Sequence, residues 1–347
     1  MIKFDFKKSS FSKFKRRLAK YLPYFKLFSL ALIGLALLFT FYLSFLKVIK
    51  FAKGLDFTPK AAQERTNILI LGMGGEDNKV KDLTDTIIFL SLNLKTSKTL
   101  MLSLPRDIWI PSMRAKINTA YHYGEEKKLG GGLILAKAAV SEILGQPIHY
   151  AVGLDFGGFV KAVDVLGGVE IEVERSFDDY RYPIPGKEDD DCGGDPEFAC
   201  RYEHLHFKAG WQTMDGQRAL KYVRSRNAEG EEGTDFARSR RQQRLLLAVR
   251  NKIFSAKTIF RPGKLTELIK VLKQSIKTDI TPNDYPGLAK LALKFKPEKM
   301  RTEVLDFLIN PPLSATYDFH WVLVPPTSSW QEVHDYALCL LEEKDCH

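Results

Sequence analysis

Seven arginines fall between Tyr222 and Arg250, in "YVRSRNAEGEEGTDFARSRRQQRLLLAVR". A guanidinium presents a planar fork of donors that matches carboxylate or phosphate oxygens in pairs. Such a run is a solvated face, a strip for nucleic acid, or a seat for a compact polyanion. From Asp235 onward the apolar residues recur at helical spacing. A wheel at about 100° per residue places Arg238, Arg241, Gln242, Leu245, Val249 and Ile253 on one face. The aliphatic members make that face the one turned toward the core, so Arg238, Arg241 and Gln242 are expected to point inward. Just upstream, "ALKYVRSR" reads as a strand whose two-residue period sets Tyr222, Arg224 and Arg226 on one side. An inward cation is costly unless it is paired and hydrogen-bonded. Internal pairing with Asp235 and other acids is one outcome, and a bound diphosphate is the other.

A second group of residues favours the diphosphate. "DLTDTIIF" places Asp82 and Asp85 at the mouth of a strand, after the turn "GMGGED" with Glu76 and Asp77. "SLPRDIW" ends another strand with Arg106 and Asp107. Carboxylates beside phosphate-seeking arginines suit Mg²⁺, which takes one or two carboxylates together with substrate phosphates and waters. Taken singly, each acid is equally a cap or turn residue. No helical pattern opens directly after Gly75, which argues against a dinucleotide-binding motif. No Ser-His-Asp constellation is visible.

The rest of the chain has to position these groups. Residues 1–26 carry nine Lys or Arg and one acid, Asp5, whereas the whole chain is +10, so the part beyond the tail is nearly neutral. That excludes a basic nucleic-acid-binding domain, which would carry its excess charge on the folded part. Leu27 to Leu46, "LFSLALIGLALLFTFYLSFL", is free of charge and as long as a membrane-crossing helix needs to be. The basic flank places the N-terminus in the cytoplasm. Hence 1–26 is expected to be a cytoplasmic tail, 27–46 a transmembrane helix, 47–66 a stalk and 67–347 an extracytoplasmic catalytic domain, in a single-pass protein of the cell membrane.

Within that domain, "NILIL", "TIIFLSLNL", "TLMLSL", "YAVGLD" and "VEIEVE" read as strands, and "LILAKAAVSEIL" and "FVKAVDVL" as helices. The alternation predicts an α/β layered fold. "KEDDDCGGDPE" and "AEGEEG" read as exposed loops. Cys192, Cys200, Cys339 and Cys346 form two locally spaced pairs suited to disulfides in an oxidising compartment. A zinc site built from Cys192, Cys200, His204 and His206 matches no common structural spacing.

Together these residues resemble the LytR-CpsA-Psr family of membrane-anchored cell-wall glycopolymer ligases. The resemblance runs from about Asn67 to Tyr336 through "NILILGMGGED", "LTDTIIFLSLN", "SLPRDIWI", "KINTAYHYG", "VDVLGGVEIEV", "WQTMDGQRALKYVRSR", "DFARSRRQQ" and "WVLVPP". It implies an α/β fold with a central sheet flanked by helices, a deep apolar pocket for a polyprenyl chain, and Mg²⁺ as cofactor. It further implies transfer of a glycopolymer from a polyprenyl diphosphate carrier to peptidoglycan. By motif, Asp85 would bind the metal with Asp77, Glu76 and Asp82 being the other candidates for the second ligand. Arg106, Arg224, Arg226, Arg238 and Gln242 would hold the diphosphate. Lys116, Asn118 and Tyr121 would sit near the pocket, Arg241 would support it, and Asp107 is a candidate proton acceptor. The chain departs from the family pattern at Gly74, where an Asp is common, and at Asn227, where a His is frequent. Two other readings use the same residues: hydrolysis of the lipid diphosphate, and an anchored module that binds a wall polymer without turnover.

Overall fold

The computed structural model describes residues 58–74 and 81–346, with five scattered positions between 39 and 46. The expected tail and most of the expected membrane helix and stalk, together with Glu76 and Asp77, lie outside the described residues. Among the described residues no helix is long and apolar enough to cross a membrane. Thr58–Pro282 and Leu291–His347 form one compact unit, which holds every element below.

A six-stranded mixed sheet is built from β1 (Arg65–Met73), β2 (Thr84–Asn93), β3 (Thr99–Ser103), β6 (Tyr150–Asp155), β11 (Ile276–Thr278) and β12 (Met300–Val304), in the order β11-β6-β1-β2-β3-β12. β1 runs antiparallel to β2 and parallel to β6, and β3 runs antiparallel to β2 and parallel to β12. The sequence explains this arrangement through its two-residue period. Leu69 and Leu71 stand opposite Phe89 and Ile87, and Leu102 stands opposite Phe89, so one face is continuously apolar. Helices α2 (Gly132–Leu144) and α7 (Trp330–Leu341) close that face with Val140, Ile143, Val333 and Leu340. Truncating any one of these to alanine would cost about 2–5 kcal/mol. Between the sheet strands lie a short ladder, β4 (Trp109–Ile110) with β5 (Ala115–Lys116), and α1 (Ala120–Lys127).

A second core lies beside the sheet. β7 (Val169–Val173) pairs with β10 (Gly210–Met214), and β8 (Phe177–Pro183) pairs with β9 (Tyr202–Phe207), each antiparallel. Around them pack α3 (Phe156–Val165), α4 (Gly216–Arg224) and α5 (Asp235–Ile253), burying Val163, Ile171, Phe177, Phe207, Met214, Tyr222 and Leu245. Helix α6 (Pro262–Ser275) seats Leu268 against Ala162 and Leu166 of the α3 end. The expected acidic loop at 187–197 is largely exposed, whereas in 228–233 Ala228 is buried and Glu232 is half-buried against Arg241. The cysteines pair within their local spacing, Cys192 with Cys200 and Cys339 with Cys346. That pairing removes the zinc reading of the cysteines.

The five expected strands and two expected helices are present, but "ALKYVRSR" is not a strand. It belongs to α4, which Asp215 caps by accepting a hydrogen bond from the Arg218 amide at 2.7 Å. Gly216, Ala219, Leu220 and Val223 recur at helical spacing and are buried together with Tyr222. Gly216 also has a steric role, since a Cβ there would lie 2.3 Å from the Val160 carbonyl oxygen. The close approach of α4 to α3 is what sets the direction of Arg224 at the far end of the helix.

Candidate anion-binding site

β1, β3 and β6 end at the edge of the sheet where β2 begins, and the cavity lies there. Its walls come from β2 (Leu83, Asp85 and Thr86, of which Leu83 just precedes the strand), from Arg106 after β3, and from Phe156 at the start of α3. Tyr182 and Pro183 of β8, the end of α4 with Arg224, Arg226 beyond it, and Arg238 and Gln242 of α5 complete it. The volume is about 410 Å³. That is within the usual range for a small-ligand site, about 300–1,000 Å³, and is room for a diphosphate with its flanking groups. Leu83, Phe156, Pro183 and Val223 give it an apolar wall on one side.

Arg238 is the buried member of the arginine cluster, with its side chain 7% exposed. α5 delivers it one turn in from the Thr234 cap, whose hydroxyl accepts from the Ala237 amide. Its Nη2 lies 2.9 Å from Asp235 Oδ1, while its buried Nε has no partner among the described residues. Burial pushes its pKa down to about 10, against the pull of Asp235 and with the charges of Arg226 and Arg106 adding to the drop. Arg106 donates from Nη1 to Asp85 Oδ1 at 2.5 Å. Burial works against its charge, but Asp85, then Asp107 and Asp235, outweigh it and raise its pKa. Arg224 lies over the Phe156 ring, 4.9 Å from its centroid. Arg226 reaches solvent at the mouth and makes no ion pair among the described residues. Partial burial and then the charge of Arg106 lower its pKa. Four guanidiniums face two lining carboxylates, Asp85 and Glu188, so the wall carries a net +2; counting Asp235 behind it leaves +1. Like charges held together in a partly dry cavity favour an anion that bridges them.

The structure brings Asp85, Arg106, Arg224, Arg226, Arg238 and Gln242 together, and of the other expected residues those it describes do not line the cavity. Arg241 is 1% exposed and its two Nη atoms are engaged elsewhere, while its buried Nε has no partner among the described residues. It donates to Glu232 Oε2 at 2.7 Å, to the Glu232 carbonyl and to the Ser225 carbonyl, and stacks over Phe177 and Tyr222. It holds the 225–232 loop and is not aimed at a ligand. Asp107 is held by Lys116 Nζ at 2.7 Å and approached by Arg106 Nε at 3.4 Å, so both its oxygens face cations. That disposition suits positioning of Arg106 better than accepting a proton. Lys116 is thereby used up. Asn118 shapes the turn through its backbone, donating to the Arg106 carbonyl and accepting from Thr84 Oγ1. Tyr121 lies in the apolar core, where burial and then Glu125 push its pKa up to about 12. Gln243, left off the inward face by the wheel, is buried and donates to Ser103 Oγ and the Glu303 carbonyl, because α5 also packs on the sheet. Phe156, Tyr182 and Pro183 were not singled out by the sequence; the buried position of Phe156 just after the Asp155 cap was the one available signal.

Asp85 fits a role in metal binding. Among the described residues its one polar partner is Arg106, on Oδ1, which leaves Oδ2 for a hard cation beside bound phosphate. The described residues gather no set of three carboxylates or imidazoles around it.

A cationic cavity at the strand-end edge of a mixed sheet flanked by helices gives this α/β protein a site suited to an anion. The chain belongs to the LytR_cpsA_psr family, whose family model matches residues 47–333. It is 29% identical over 221 residues to the polyisoprenyl-teichoic acid–peptidoglycan teichoic acid transferase TagU of Oceanobacillus iheyensis, covering 63% of this chain and 60% of that protein. TagU of Bacillus subtilis is 28% identical over 235 residues, 65% of each chain. The chain thus spans somewhat less than two thirds of the length of these relatives. Among solved structures, B. subtilis TagV superposes with a TM-score of 0.57 at 24% identity, over 81% of this chain and 99% of that one. TagT bound to LI-WTA gives 0.52 at 22%, over 80% and 92%. Both likenesses concern the fold.

Proposed function

We propose that this chain is a membrane-anchored phosphotransferase that moves a glycopolymer from a polyprenyl diphosphate carrier to peptidoglycan. The observation that carries the proposal is the convergence of Arg106, Arg224, Arg226 and Arg238 on one cavity whose lining is net positive. The printed activity of the TagU relatives, teichoic acid transfer to peptidoglycan, supports the same chemistry. An acceptor hydroxyl oxygen attacks the phosphorus that carries the glycan, the bridging P–O bond breaks, and the lipid monophosphate leaves. The hydroxyl proton passes to a carboxylate or to solvent.

Arg238 and Arg224 hold the bridging and terminal oxygens, and Arg226 at the mouth receives the charge that builds on the leaving phosphate. Such preorganised donors contribute most where charge develops in the transition state. Arg106 is kept in line by Asp85 and Asp107, which fixes the fork before substrate arrives. When bound, Mg²⁺ held by Asp85 with Glu76, Asp77 or Asp82 would neutralise phosphate oxygens. Phe156 and Val223 exclude water beside the first isoprene units. The uncharged segment 27–46 and its basic flank would anchor the chain in the cell membrane with its N-terminus in the cytoplasm, raising its effective concentration at the lipid carrier.

The test supplies the full-length chain in detergent with lipid-diphosphate glycan, peptidoglycan fragments and Mg²⁺. Glycan attached to peptidoglycan through a phosphodiester, lost in Arg238→Ala, is the expected result. Release of free glycan phosphate independent of acceptor would replace transfer by hydrolysis, and unchanged transfer by Arg238→Ala would remove the site.

A further inference from the structure

Helix α6 covers the α3 end with one apolar stripe and leaves the flank beside it bare. Leu268 and Leu272 lie in one cluster with Ala162 and Leu166. On a wheel with Leu265 at zero, Ile269 falls at about 40° and Lys273 at about 80°, whereas Glu267, the one acid of the helix, falls at about 200°. Leu265 is 37% exposed and Ile269 47%. Just before the helix, Thr258 is buried and donates to the Lys252 carbonyl at 2.8 Å. That bond fixes the turn that presents Ile259 and Phe260 to solvent, at 51% and 82% exposure. From Phe260 to Lys277 the chain carries five cations, Arg261, Lys264, Lys270, Lys273 and Lys277, against Glu267. Lys264 donates to the Leu166 carbonyl at 3.0 Å, while the other four are exposed and make no ion pair among the described residues.

We propose that Ile259, Phe260, Leu265 and Ile269, flanked by these cations, dock on the head-group region of an anionic phospholipid bilayer. Apolar side chains set among basic ones match an interface whose outer layer is negative and whose interior is hydrocarbon. A soluble polyanion would pair the cations and leave the apolar side chains in water. A purely apolar partner would cover those side chains and strand the charges.

The face leads to the arginine cavity. Ser275 at the end of α6 meets Gly158 of α3 so closely that a Cβ on Gly158 would lie 2.1 Å from the Ser275 Cβ. Ile276 then pairs with Leu154 near the end of β6, two residues before the cavity wall at Phe156. A bilayer under α6 therefore runs toward the apolar side of the cavity, where a lipid diphosphate would enter. The inference rests on the membrane-anchored reading above and adds which face the anchored domain turns to the lipid.

The experiment places the full-length chain in nanodiscs of phosphatidylcholine alone, or of phosphatidylcholine and phosphatidylglycerol in equal parts, and follows lysine acetylation by peptide mass spectrometry. In the anionic discs Lys270 and Lys273 are expected to react at least about fivefold more slowly than in the neutral ones, the factor that one basic residue contributes near such a surface. Lys208, exposed just after β9, is expected to react equally in both. Phe260→Ser/Ile269→Ser, shown to be folded by circular dichroism, is expected to lose most of the protection. A ratio near one at Lys270 and Lys273, equal slowing of Lys208, or full protection in the double variant overturns the proposal. So does slowing by soluble polyphosphate that the anionic discs do not reproduce. A chain that does not enter the discs removes the anchor and this inference with it, whereas loss of glycan transfer with the protection intact touches only the phosphotransferase reading.

Discussion

Replacing Arg238 by methionine should make the empty protein more stable and the pyrophosphate-bound protein less so. Arg238 is 7% exposed, its Nε is unpartnered among the described residues, and burial holds its pKa near 10 instead of at the ordinary guanidinium value. That depression corresponds to about 3 kcal/mol by which the folded state disfavours the charge. Methionine keeps much of the volume without it. The contact to Asp235, which is 44% exposed, is already contained in that figure, since the depressed value is reached against its pull. Allowing for imperfect packing of methionine, the net gain for the free protein is about 1–2 kcal/mol, and each kcal/mol moves the melting temperature of a chain this size by about 2–4 °C. Inorganic pyrophosphate at about 100 times its dissociation constant stabilises the wild type by about 2.7 kcal/mol. The variant, lacking the central donor, should show little of that shift. Thermal unfolding of both full-length proteins, with and without pyrophosphate, reads the two effects together. An Arg238→Met protein that melts below wild type and keeps the full pyrophosphate shift would refute the reasoning, since it would make Arg238 a structural ion-pair residue.

Other substitutions separate the site from its supports. Glu232→Ala strands the Arg241 guanidinium in the interior and should destabilise the protein by about 3–5 kcal/mol in urea unfolding. Gly216→Ala forces a Cβ against the Val160 carbonyl; a loss of about 1–3 kcal/mol is expected, with weaker pyrophosphate binding because Arg224 moves with α4. Asp85→Asn should remove any Mg²⁺ stimulation of transfer while leaving the circular dichroism spectrum unchanged, read by a Mg²⁺ titration of turnover. For Tyr121 the folded pKa is raised to about 12, so the folded protein keeps a phenolic proton that the unfolded chain loses near pH 10. Its contribution to stability is complete below about pH 10 and falls by up to about 1.4 kcal/mol per pH unit until about pH 12. Absorbance at 295 nm should show this tyrosine ionising only with unfolding.

The sheet was legible because its strands are short apolar runs with a strict two-residue period; Leu69, Leu71, Ile87 and Phe89 need no tertiary information to be placed. The inward direction of Arg238 and Gln242 was legible for the same reason, through Leu245 and Val249 one and two turns further on. "ALKYVRSR" was misread because Tyr222 and Val223 favour strands locally, while the deciding features, the Asp215 cap and the approach of Gly216 to Val160, lie upstream or in another helix. Arg241 was given to the ligand because the wheel reports that a side chain points inward and not what it meets there. Its partner Glu232 comes from a loop whose path no periodicity encodes. Tyr182 and Pro183 reach the cavity through the return of β8, which only the folded chain shows.

The most direct test of the arginine cavity is a structure of the protein with a polyprenyl diphosphate bound. The account predicts both phosphates between Arg106, Arg224, Arg226 and Arg238, with the first isoprene units against Phe156 and Val223. Phosphates bound elsewhere, with the four guanidiniums still turned to their carboxylates and to solvent, would contradict it.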